Sequence, residues 1–216
     1  MASIYVFPSE GSSKTIREQE RGFNDVARES ASDGKHAVLK AVDSVCSMRR
    51  NGDIVYEEIP VPKSSADHGI GVGLTINNDM NDLHPASGWI MLMYSEEYRS
   101  AWYGHWRCAA FCSFTMPEGD RDCLMPSLYW DSLERRLAGL DSEGTLGGTV
   151  SVGNSVGFGT MAQPANEDTR TDCEIRVSWT PLTDEENSVQ DAGAQVEAWA
   201  AFMAACVTYE GERCIS

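Results

Sequence analysis

Tyr103, His105 and Arg107 are the densest set of chemistry-bearing side chains in the sequence. In an extended strand, residues two apart share a face. A phenol, an imidazole and a guanidinium would then project together and offer a polar site for an anion or a carboxylate. A histidine beside an arginine would have its proton disfavoured. The plainer account is a solvated strand face, or the rim of a helix–sheet contact where Arg107 pairs with a surface acid. Shifted titrations also occur in purely structural ion pairs. These three are the candidate ligand-binding residues; no residue stands out as catalytic.

Other chemistry finds no support. The four histidines, His36, His68, His84 and His105, show neither HExxH nor HxH spacing, so a zinc site built from them is not expected. The seven cysteines are odd in number and form no CxxC. Several fall on apolar faces, where a free thiol behaves as a small hydrophobe. They read as reduced core residues of a cytoplasmic protein. Cys108 and Cys112 share a strand face but stand roughly 13 Å apart, too far to hold one metal ion. There is no GxSxG elbow. "NNDMND" at 77–82 lacks the ligand order and terminal glutamate of a calcium loop and reads as a polar turn. "LGGTVSVGNSVGFG" at 146–159 is rich in glycine, but it has no lysine and does not lead into a helix, as a phosphate loop must. Its even positions are mostly bulky and its odd positions bare, which predicts a strand with a bulge at Gly153. No cofactor and no metal are expected.

Periodicity supplies the elements that would position these residues. Residues 1–30 read as a mobile arm carrying a short helix from Phe23, followed by a single domain over 31–212. A helix starts near a cap at Ser32 or Asp33, with Val38, Ala41, Val42, Val45 and Met48 as its apolar stripe. Ile54 to Ile59 form an edge strand stopped by Pro60 and Pro62. "GIGVGLTI" at 69–76 puts Ile70, Val72, Leu74 and Ile76 on one face and Gly69, Gly71, Gly73 and Thr75 on the other. "WIMLMY" at 89–94 is apolar on both faces, as in a central strand covered on both sides. "SEEYRS" makes a turn, and residues 101–116 form the longest strand. A helix capped by Ser127 runs to Leu140, with Gly144 beyond its end. The strand at 149–158 follows, then one with Cys173, Ile175, Val177 and Trp179 inward, then a helix over 192–209.

The order α-β-β-β-β-α-β-β-α predicts an α+β fold: a mainly antiparallel sheet of about six strands with helices packed on one face. Type III secretion chaperones, whose acidic dimers bind other proteins, have a similar element order. That likeness is one of topology alone.

Apolar content of 42% and charged content of 23% exclude wholesale disorder. The formal net charge of −16 repels nucleic acid and anionic membrane surfaces, so neither is expected as a partner. No apolar run is long enough to span a membrane.

Taken together and in order, "EEIPVP" at 57–62, "AW.G" at 101–104, "LMPSLYWDSLERRL" at 124–137, "LGGTVSVGNSVGFG" at 146–159 and "EIRVSWTP" at 174–181 resemble the actinobacterial Domain of Unknown Function 3000 family, over about residues 36 to 209. The resemblance implies an actinobacterial, cytoplasmic protein and carries over no site residues. The resulting expectation is a non-enzymatic protein-interaction module that forms a homodimer through an apolar sheet surface. The alternative is a small-molecule-binding protein or enzyme with the glycine-rich sheet face as its pocket floor.

Overall fold

The computed structural model describes residues 23–76, 86–116, 125–155, 170–185 and 188–208. Alternation builds the sheet. Strands β1 (Ile54–Glu58), β2 (His68–Ile76), β3 (Ala86–Arg99), β4 (Gly104–Met116), β5 (Gly147–Ser155) and β6 (Arg170–Trp179) join in the order β1-β2-β3-β4-β6-β5. Every neighbouring pair is antiparallel. The even-numbered side chains Ile70, Leu74, Ile90, Leu92, Trp106, Cys108 and Cys112, with Cys173, Ile175 and Trp179, are buried on one face. Helices α1 (Phe23–Ser47), α2 (Met125–Leu137) and α3 (Ala192–Thr208) lie over that face, with α3 touching both of the others. The α+β architecture and its element order are therefore as the periodicity predicts. Each large apolar side chain buried there contributes about 1.5–3 kcal/mol, and Trp106, Trp179, Trp199 and Phe202 are among the most completely enclosed.

Helix α3 keeps the apolar stripe read from its sequence: Val196, Trp199, Met203 and Val207 are all buried. Asp191 accepts a hydrogen bond from Ala194 N at 2.8 Å and from Ser44 Oγ at 3.0 Å. One carboxylate thus caps α3 and pins it to α1. Gly193 lets the helices approach closely, since a Cβ there would lie 2.7 Å from Ser44 O.

Several boundaries differ from expectation. Helix α1 starts at Phe23, as expected, but runs on without a break, so Ser32 and Asp33 lie within it and not at a helix start. Ser127 is likewise the third residue of α2, not its cap; Pro126, which lacks an N–H, suits the first turn. Gly139, at φ +81°, follows the end of α2 before Gly144 is reached. "SEEYR" continues β3, making it the longest strand at 14 residues. Residues 100–102 form a 3-10 turn. Gly153 pairs in unbroken register with Asp172, and the irregularity expected there falls between Tyr94 and Arg99 instead. The expected arm lies outside the described residues over 1–22.

The two sheet edges differ. β1 is short, carries Glu57 and Glu58 and leads into Pro60 and Pro62. β5 has nine residues, "GGTVSVGNS", with neither charge nor proline, and its Val152 is 39% exposed.

Candidate functional site

Tyr103, His105 and Arg107 are placed by the start of β4, but they do not form one row. Tyr103 precedes the strand, in the left-handed conformation that closes the 3-10 turn (φ 56°), and its side chain is 68% exposed. The His105 ring stacks beside Tyr94 and meets Tyr98 edge-on, each with centroids 6.0 Å apart. Its Nδ1 lies 2.9 Å from Ser95 O. Arg107 donates to Ser178 Oγ at 2.7 Å, Thr180 Oγ1 at 3.2 Å and Thr145 O at 3.3 Å. Burial lowers its pKa from the ordinary arginine value, yet a guanidinium stays charged in any protein setting. Three neutral oxygens of this chain therefore hold Arg107, which ties β4 to the end of β6. Thr180 in turn donates to Trp102 O and so secures the 3-10 turn.

The glycines of β2 serve close packing by the chain itself. A Cβ on Gly69 would lie 2.9 Å from Val61, and one on Gly73 would lie 2.7 Å from Glu57 Cγ. A Cβ on Gly71 would collide with Ile59 O. Residues 57–61 thus occupy the space that a ligand resting on this stretch would need.

Among the described residues, no helix lies on the odd-numbered face of the central strands. On that face of "WIMLMY" Met93 is buried while Trp89 and Met91 are half-buried, as are Ala109 and Phe111 on β4. The Trp89 and Phe111 rings lie 6.1 Å apart across the strand pair. The Arg176 guanidinium sits over Phe111, 5.2 Å from the ring centroid, and binds Glu174 at 2.7 Å. One cross-strand row reads Glu57, Gly73, Trp89, Phe111, Arg176. It is apolar in the middle and acidic at one end; on the other side Arg176 is followed by Thr149 on the edge strand β5. Sequence reasoning found the strands but missed this row, because the row exists only once the strand order is known.

Between α2 and α3 a groove of about 480 Å³ opens. Leu128, 50% exposed, and Arg135 and Arg136 line it.

The thiols are unsuited to nucleophilic work. Burial raises the pKa of Cys173 to about 12 and lifts Cys108, Cys112 and Cys206 well above the ordinary thiol value. A thiolate is the reactive form, so these four act as core hydrophobes. Among the described residues, no group of three or more His, Cys, Asp or Glu is arranged to hold a metal ion, and no helix is long and apolar enough to cross a membrane.

No curated protein and no solved structure matches the chain, so the likeness to secretion chaperones rests on element order alone. The model of a family described as "Protein of unknown function (DUF3000)" matches residues 35–211. The chain belongs to that family.

Proposed function

We propose that this DUF3000 member is a non-enzymatic protein-interaction module that works as a homodimer, with the helix-free sheet face as its interface. The observation that carries this reading is the cross-strand row from Glu57 through Trp89 and Phe111 to Arg176. Large aromatic side chains at the centre of a surface with charges at its margin are the usual anatomy of a protein interface. The row also complements itself. A twofold axis passing near Trp89 would set that residue against its own copy and each Glu57 against the Arg176 of the other subunit, because the two lie two strands to either side of β3. Local charges of both signs allow this contact despite the net charge of −16. That net charge speaks against nucleic acid as a partner. Free thiols at Cys46, Cys108, Cys112, Cys173 and Cys206 support a reducing compartment, the cytoplasm. Actinobacterial origin rests on the sequence resemblance.

Size-exclusion chromatography with multi-angle light scattering tests the proposal. Twice the mass of the 216-residue chain is expected, falling to the single-chain mass in Trp89→Glu. A monomer throughout the micromolar range, or a dimer untouched by Trp89→Glu, would overturn it.

A further inference from the structure

We infer that the outer edge of β5 binds an extended segment of another protein, one that alternates β-branched apolar residues with lysine or arginine. The edge lies outside the cross-strand row from Glu57 to Arg176, so this reading and the homodimer above are tested apart. Among the described residues no strand pairs with that edge. Its nine residues, "GGTVSVGNS", carry neither charge nor proline. Open sheet edges are ordinarily blunted by short length, charge or proline, because their unpaired N–H and C=O groups accept another strand. β1 is short, carries two glutamates and leads into Pro60; β5 has none of these devices. A segment added along β5 would pair with its outward backbone groups, the mode by which exposed sheet edges take up peptides.

The two faces of β5 give the segment its sequence. Val150 and Val152 lie on the helical side, since they pair with Ile175 and Cys173, which are buried there. Val152 is nevertheless partly exposed, because the sheet ends beside it. A valine or isoleucine of an added strand would cover it, as cross-strand β-branched pairs do. The opposite face is bare: a Cβ on Gly153 would meet nothing within 4 Å. Asp172 and Glu174 of β6 are the register partners of Gly153 and Ser151 and share that face. An added strand would stand two strand spacings from β6, roughly 9.5 Å. A lysine or arginine lying across Gly153 can span that distance toward Asp172. The formal net charge of −16 acts in the same direction, drawing a basic segment and repelling an acidic one. The side chains that fit this edge are therefore apolar toward the helices and cationic away from them.

The experiment is isothermal titration of the full chain with the end-blocked peptide KVTVKVTVK, followed by hydrogen exchange with and without it. EVTVEVTVE is the acidic control. Saturable binding with one peptide per chain is expected, with slowed exchange over residues 147–155 and an affinity that falls as salt rises. Val152→Lys replaces the exposed apolar contact by a cation and is expected to weaken binding at least about tenfold. Asp172→Asn is expected to weaken it less and to reduce its salt dependence. Trp89→Glu, which disrupts the proposed dimer face, is expected to bind the peptide as well as the unaltered chain. Circular dichroism confirms that each variant is folded. Any one of these results would overturn the inference: no saturable binding, equal affinity for the acidic peptide, exchange slowed around Trp89 and not in β5, binding undiminished in Val152→Lys or lost in Trp89→Glu, or a self-assembly that Val152→Lys dissolves and Trp89→Glu does not, which would make the occupant a second copy.

Discussion

The Trp179 indole donates to Gln195 Oε1 at 2.8 Å, and Gln195 Nε2 donates to Leu140 O at 2.8 Å. Trp179 and Gln195 are both buried. One amide therefore joins β6, α3 and the segment after α2 where water does not reach. Removing it would strand a buried donor and a carbonyl at once. Gln195→Leu is expected to lower stability by roughly 2 kcal/mol or more, read as a lower urea midpoint at unchanged slope.

Two glycines in the sheet should respond oppositely to the same change. In Gly71→Ala the new methyl meets Ile59 O, a backbone atom that cannot rotate away. A loss of about 1–3 kcal/mol is expected. In Gly153→Ala the methyl meets nothing within 4 Å, and stability should stay level or rise by up to about 1 kcal/mol. Thermal melts of the pair check this. Equal losses would show that glycine is needed in β5 as well.

Charge reversal probes the proposed dimer register. In a twofold assembly each reversal acts twice. Glu57→Arg and Arg176→Glu should each weaken the dimer by about 2 kcal/mol, given about 1 kcal/mol per exposed contact. The double variant should recover most of the affinity. Sedimentation equilibrium measures all four proteins, and failure of the double variant to recover would rule out this register.

The buried thiols set the alkaline limit of stability. Each has a folded-state pKa above its unfolded value, so its stabilising effect is fully present below the unfolded value and is lost as pH rises through the folded one. For Cys173 that window runs from the ordinary 9.0 to about 12. Stability should hold up to about pH 9 and then fall, more steeply as further thiols ionise on unfolding. Brief iodoacetamide treatment of the native protein, mapped by mass spectrometry, should label Cys46, which is exposed, and spare Cys108, Cys112, Cys173 and Cys206.

The strands and the buried faces of β2, β4, β6 and α3 were legible in the sequence because each depends on one local period, and residues of like parity share a face whatever lies beyond them. A helix from Phe23 was legible too, but not its unbroken run into the segment of Val38, since Gly34 and polar residues interrupt the pattern over 23–37. The tail of β3 reads as a turn from "SEEYR", whose charges belong to a strand end that projects into solvent. Tyr103, His105 and Arg107 looked like one row only while residues 101–103 counted as strand. Left-handed geometry at Tyr103 turns its ring away, a conformation uncommon for a non-glycine residue. Proline at 126 was a readable signal for the start of α2. The groove at Arg136 and the Trp179–Gln195 bond had none, because both join elements far apart in the chain.

The unequal rims of the sheet make its hydrogen bonding terminate. Among the described residues no strand pairs with the outer edge of β5, a neutral ribbon on which another strand could add. β1 offers a short acidic stub that ends in prolines. If two copies zipped together along β5, both outer ends of the joined sheet would be β1, and a third copy would find no template. Fibrillar stacking by this route is therefore capped at a pair, a protection that depends on Pro60, Pro62 and the two glutamates rather than on burial.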